Sequence, residues 1–350
     1  MPRQLRRSAT LPLNVYLGRC ILTPQLDRAL ALLAQQCGRW DCLRVAYAGD
    51  ILPALVRRMR DAPAALSFLT LDHYTPDHTF IRWVNSIFTS AEGLKKVTLR
   101  QLAPAMHCFP PCMRSLRTTV GSLRSVLDVL ARCQELRRLD VETCTYDLAQ
   151  DTDVPAALPT LSTTAPQLRS LRLGGIDEAE KISRMLAFVS FPALRTLHLS
   201  LPAFGRELED SFKRWNCPLR ELTLSAYVLD EDSITKALVH VPSLRELHIR
   251  VHHLRSDRLI SALEVRPAAE GSLPLCPNLT ELELSATGTT RSIGPDKLAD
   301  MLESRGAAAT GRHNVRVLEL VMLYGVVLLP HGMPVSCSPS SRHTYWGLTC

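Results

Sequence analysis

A phrase of six residues, Leu-x-x-Leu-x-Leu, recurs along this chain and limits its folds more than any other feature. It reads LRRLDV at Leu136, LRSLRL at Leu168, LRTLHL at Leu194, LRELTL at Leu219, LRELHI at Leu244 and LTELEL at Leu279. Looser copies are LSFLTL at Leu66, LKKVTL at Leu94 and VRVLEL at Val315, with weak ones at Trp40 (WDCLRV) and Met113 (MRSLRT). From Trp40 to Val315 the eleven starts cover 275 residues in ten steps, a mean of 27.5, with single steps of 19 to 36. The last two leucines stand two apart, so they share one face of a strand while the residue between them faces the other way. One such strand cannot bury its apolar face alone, whereas stacked copies can.

The segments between copies read as helices. Thr23 to Cys37 carries Leu26, Leu30 and Leu33 at helical spacing, and Ser122 to Gln134 carries Leu123, Val126, Leu127 and Leu130. Asp230 to Val241 opens with acids, which suit a helix N-terminus, and carries Ile234, Leu238 and Val241. Pro166, Pro192, Pro218, Pro242 and Pro277 then stand just before the next strand, where proline ends a helix and favours extended chain. Helix, proline and strand at this period are the pattern of leucine-rich repeats. The expected fold class is therefore α/β: a leucine-rich repeat solenoid, or horseshoe, with parallel strands on the concave face and irregular helices on the convex face. The expected layout is a basic tail over 1–10, ten to twelve irregular repeats over 11–331 and a disordered, Ser- and Pro-rich tail over 332–350. No asparagine ladder runs through the array. The slot three residues after the last strand leucine holds Tyr74, Leu102, Cys144, Ile176, Pro202, Tyr227, His252, Thr287 and Leu323, of which only Cys144 fits.

Composition narrows the function classes. A net charge of +7 spread over 350 residues lacks the clustered footprint of a nucleic-acid binder. Eleven cysteines at irregular spacing, without one Cys-x-x-Cys, read as reduced thiols and point to the cytoplasm or nucleus. The longest apolar run, Leu320 to Leu329, is too short to span a bilayer. The N-terminal stretch SATLPLNVYL follows MPRQLRR, but Leu11, Leu13, Val15 and Leu17 alternate and Pro12 and Asn14 interrupt, so it reads as a capping strand and not a targeting signal.

The order RSATLPLNVYL (Arg7 to Leu17), helix (Thr23 to Cys37) and GRWDCLRV (Gly38 to Val45) resembles the leucine-rich repeat region of fungal F-box-like proteins, especially of mushroom-forming species. The resemblance runs from about residue 7 to 325. It implies repeats that bind a substrate, with a preceding F-box that recruits a Skp-type adaptor and a cullin–RING ubiquitin ligase. Only ten residues precede Leu11 and no Leu-Pro-x-Glu-Ile/Leu start is visible, so the expectation is an F-box that is missing or lost. The alternative expectation is a free-standing leucine-rich repeat scaffold or inhibitor with no ligase link.

Solenoids use their concave sheet to bind, so the third, fifth and seventh positions of each copy are the natural partner surface. The candidate partner-binding residues there are Lys96, Arg100, Arg138, Asp140, Arg172, His198, Glu221, Glu246, His248, Arg250, Glu281 and Glu283, with Glu319 adding to the acidic end. A mixed polar surface suits a protein partner better than a nucleic acid or a membrane. Lys95, Arg137, Arg169, Arg195, Arg220 and Arg245, each after the first leucine, read as a solvated strand edge whose stems cover leucines, with a phosphate ladder as the alternative. His240, His248, His252 and His253 fall on different faces with no ligand-spaced carboxylate or Cys, so no metal is expected. His107 and Cys108 are adjacent, a poor geometry for nucleophile and base, and no nucleophile elbow, phosphate loop or dinucleotide motif occurs. Neither catalysis nor a cofactor is expected.

Overall fold

Leu197, Leu199 and Leu201 are buried while Thr196, His198 and Ser200 between them stay half-exposed, and this alternation recurs from strand to strand. A computed structural model describes residues 10–18, 21–46, 51–59, 61–72, 78–102, 106, 108–145, 163–175, 185–253, 258–265, 274–286, 295–310, 315–324 and 347–348. The chain divides into two units, Met1–Leu168 and Arg169–Cys350.

In the first unit, β1 (Leu13–Leu17), β2 (Trp40–Val45), β3 (Phe68–Leu71), β4 (Lys96–Leu102), β5 (Ser115–Ser122) and β6 (Arg138–Thr145) pair in chain order, every pair parallel. Helices α1 (Pro24–Ala34), α2 (Ile51–Val56), α3 (His78–Ser90) and α4 (Leu123–Arg132) connect strands. Thr23 starts α1 as the sequence suggests: its Oγ1 accepts from the Leu26 N–H at 3.2 Å, and Pro24 takes the first turn, where it forfeits no bond. The expected capping strand is β1, which pairs along β2 from Leu13 to Leu17. Helix α3 was not singled out by the sequence reading, yet Phe80, Trp83, Val84, Ile87 and Phe88 form its buried stripe.

The second unit repeats the plan. Strands β7 (Ser170–Leu173), β8 (Thr196–Phe204), β9 (Glu221–Leu229), β10 (Glu246–His253), β11 (Glu281–Ala286) and β12 (Leu320–Tyr324) are again parallel and in chain order. Helices α5 (Glu207–Trp215), α6 (Glu231–Leu238), α7 (Arg258–Leu263) and α8 (Pro295–Thr310) follow β8, β9, β10 and β11 and pack side by side. Their buried residues, among them Phe212, Trp215, Ile234, Leu259 and Met301, form the core with the inward strand leucines. Trp215 is locked in place: its Nε1–H donates to the Val189 carbonyl at 2.7 Å, and its ring meets Phe191 edge-on at 4.9 Å. Thus parallel strands in an α/β arrangement are as expected.

Two local rules explain the regularity. First, the carbonyl after each first leucine accepts two N–H groups from the next copy: Arg195 O takes Arg220 N at 2.7 Å and Glu221 N at 3.0 Å, and Arg220 O takes Arg245 and Glu246. Second, the prolines do more than end helices. In Phe191-Pro192-Ala193-Leu194 the Leu194 N–H returns to the Phe191 carbonyl at 3.2 Å, and Ala165–Leu168, Val241–Leu244 and Cys276–Leu279 close in the same way. Proline pre-sets the second position of such a four-residue turn.

The last repeat differs from expectation. The strand is not on VRVLEL from Val315 but three residues later, with Leu320 opposite Glu281. Leu318 is buried in the first-leucine place and Val321 in the fourth, so the working copy is LELVML, from Leu318 to Leu323. Glu319 therefore occupies the edge slot, its N–H bonding the Thr280 carbonyl at 2.7 Å, and not the outward row. The expected tail over 332–350 lies outside the described residues except for Gly347 and Leu348, which pair antiparallel with Met322 and Val321.

Candidate partner-binding face

Parallel pairing without slippage converts residues distant in sequence into straight rows on the outward face of each sheet. In the second unit one row runs Ser170, Thr196, Glu221, Glu246, Glu281, Leu320. The next runs Arg172, His198, Thr223, His248, Glu283, Met322, and a third runs Ser200, Ser225, Arg250, Ser285, Tyr324. Neighbours in a row are about 4.8 Å apart, the strand spacing, so their side chains interact directly. Thr196 Oγ1 donates to Glu221 Oε2 at 3.2 Å.

Eight of the expected partner-binding residues fall in these rows, and three of the eight form one network. Glu283 accepts from Arg250 Nε at 2.9 Å and Nη2 at 3.3 Å, and its Oε2 lies 2.9 Å from His248 Nδ1. Burial would raise the Glu283 carboxyl, but the Arg250 and His248 bonds outweigh it and hold the group below the usual range. The same contact raises the Arg250 guanidinium. Glu246 and Glu281, partners in the preceding row, each stand 3.9 Å from His248 Nε2. Glu283 is only 7% exposed and works mainly as a holder of Arg250 and His248.

In the first unit Lys96, Ser115 and Arg138 share a row, and Thr98, Arg117 and Asp140 share the next. Lys96, Arg100 and Arg138 are exposed, whereas Asp140 is 1% exposed and lies between Arg117 at 3.8 Å and Arg138 at 3.5 Å. Arg117 also donates from Nη2 to Glu142 at 2.5 Å, and that bond raises its guanidinium first of all. Sequence reasoning did not place Arg117 among the candidates. It is the fifth position of the weak copy at Met113, so the signal was the repeat itself.

Where β7 stops at Leu173, β8 continues five residues further, to Phe204, paired with β9. There the outward face forms an open depression of about 380 Å³, lined by Ser200, Pro202, Ser225, Tyr227, Arg250 and His252 over Leu201, Ala226 and Val251. Tyr227, 57% exposed, stacks on His252 with ring centroids 4.5 Å apart and planes 23° apart. Gly175 closes one side with φ 58°, a left-handed conformation that glycine adopts freely. Tyr227 and His252 sit in the slot where short repeats carry asparagine, so their departure from that pattern was the visible sign of this feature.

The edge row Lys95, Arg137, Arg169, Arg195, Arg220 and Arg245 is exposed throughout. His253 and Cys144 have no described side chains, and His107 lies outside the described residues. Among the described residues no three His, Cys, Asp or Glu side chains are grouped as metal ligands would be, and no helix is long and apolar enough to cross a membrane. Comparison of the chain with models of known families and with curated proteins gave no match.

Proposed function

We propose that this protein is a leucine-rich repeat recognition module whose outward sheet face binds a protein partner. The carrying observation is the second unit's in-register rows, in which Glu221, Glu246, Glu281, His248 and Arg250 are presented by three adjacent parallel strands, β9, β10 and β11. Such a face is rigid before binding, so little ordering entropy is lost on association. Its mixed charge and exposed aromatic ring are features of protein interfaces.

The resemblance to fungal F-box-like repeat regions supports a role as the substrate-recognition part of an SCF-type ubiquitin ligase, with a Skp-type adaptor engaged through an F-box. Affinity purification of the tagged chain from the cells that express it tests both levels. The expected result is one partner held near stoichiometry and lost on the paired change Glu221→Lys with Glu246→Lys. An adaptor and a cullin in the same eluate support the ligase role. A partner without them makes the protein a free-standing scaffold or inhibitor. A partner indifferent to the charge reversal refutes the outward face as the binding surface.

A further inference from the structure

Arg250 turns Nε and Nη2 to Glu283, and its Nη1 is hydrogen-bonded to no described residue. Ser225 and Ser200 follow Arg250 along the same row, one and two strands away, and among the described residues their hydroxyls have no partner. Three uncommitted donors thus stand in a line about 10 Å long, given the strand spacing. Among the described residues no carboxylate lines the depression, and Arg250 is its charged group. Glu283 lies to the side of Arg250 and fixes the plane of the guanidinium, which leaves the remaining nitrogen directed by a bond already made. Beside these donors the exposed Tyr227 ring, Pro202 and the Leu201–Ala226–Val251 floor offer apolar surface.

We propose that this depression is the oxyanion subsite of the partner-binding face. It takes an acidic side chain, carboxylate or phosphate, from an extended segment of the partner protein. Arg250 Nη1 and the Ser225 and Ser200 hydroxyls donate to the oxyanion, while an apolar neighbour on the segment rests on Tyr227. A protein segment fits better than a free small molecule, because pockets for small molecules enclose most of the ligand and this one is open. The proposal rests on the partner-binding reading above.

The test is selection of phage-displayed random peptides on the full chain, on Arg250→Gln and on Ser225→Glu, with Arg245→Gln as the control. The first variant removes the cation and the second places a carboxylate among the donors, so the two attack the subsite independently. The expected result is enrichment of peptides with Asp or Glu beside an apolar residue. These should bind Arg245→Gln as they bind the original and lose at least about tenfold in affinity on both other variants, as loss of a charge-assisted bond requires. Resynthesis with phosphoserine at the acidic position separates the sources: tighter binding assigns phosphate and weaker binding assigns carboxylate. Absence of acidic enrichment, or acidic peptides that bind Arg250→Gln unchanged, overturns the subsite. A natural partner lost on reversal of Glu221 and Glu246 but kept by Arg250→Gln and Ser225→Glu leaves the face reading standing and removes this subsite alone.

Discussion

The Arg305 guanidinium donates from Nη2 to the carbonyl of Cys276 at 2.8 Å, and neither residue is open to solvent. Its Nη1 reaches the carbonyls of Leu263 at 3.1 Å and Leu275 at 3.3 Å. Among the described residues Nε has no partner, and burial lowers the pKa of the group. Arg305 thus pins α8 to the turn that precedes β11 with main-chain acceptors alone. Arg305→Ala should strand those carbonyls and destabilise the fold by about 2–4 kcal/mol in urea unfolding. Arg305→Lys, with one nitrogen in place of a fork, should recover only part of that loss.

Glu283 is held ionised by Arg250 and His248, so its contribution depends on pH. Its carboxyl titrates below the ordinary 4.5, which makes the stabilisation fully present above about 4.5 and lost as pH falls through the lower folded value. Glu283→Gln should cost about 1–2 kcal/mol at pH 7, because Arg250 is half exposed and its charge partly screened. The gap between the two proteins should close as unfolding is measured at successively lower pH. A gap that does not narrow at all as pH falls below about 4.5 would assign the loss to packing.

Four cysteines lie in the turn before the first apolar strand residue: Cys37, Cys133 and Cys276 three residues before Trp40, Leu136 and Leu279, and Cys217 two before Leu219. All four are buried, and desolvation pushes Cys133 and Cys276 up to about 12 and Cys217 to about 11. At pH 8 iodoacetamide should modify the half-buried Cys42 and Cys112 in the native protein and spare these three until denaturant is added, as mass spectrometry of the peptides will show. The raised values also set a sign. Folding keeps these thiols protonated, so stability should fall as pH rises past 9, by up to about 1.4 kcal/mol per pH unit for each thiol.

Asn216 ends α5 in the left-handed conformation, φ 44°, with its N–H on the Phe212 carbonyl at 3.1 Å. Asn216→Gly should be neutral or slightly stabilising, and Asn216→Val should cost about 1–2 kcal/mol in thermal or urea unfolding. Equal effects of the two changes would mean that side-chain contacts of Asn216, not its backbone, matter there.

The strands were legible because two leucines at fixed spacing state both the face and the direction of a strand. Leu194 to Leu199 and Leu219 to Leu224 could be read without error for that reason. The copy at Val315 misled because Val315, Val317, Leu318 and Leu320 offer two overlapping phrases, and only pairing with Glu281 decides between them. The cysteine step was hidden because Cys, Ala, Val and Phe all serve there, as Ala91, Ala165, Phe191 and Val241 show. Single outward residues could be placed on the face, but not their pairings. His248 and Glu283 are 35 residues apart, and their 2.9 Å contact follows from register alone. The depression depends on β7 being shorter than β8, a strand length that the leucine phrase does not encode.

The carbonyl that takes two N–H groups from the following copy belongs to Lys95, Arg114, Arg195, Arg220, Arg245 and Thr280 alike. Main chain does the joining, so the side chain at that slot is chemically unconstrained by the fold. A lineage of such proteins can therefore recolour this edge from basic to neutral to acidic, as Arg245, Thr280 and Glu319 already do within one chain, without paying in stability. Recognition can drift while the scaffold stays still.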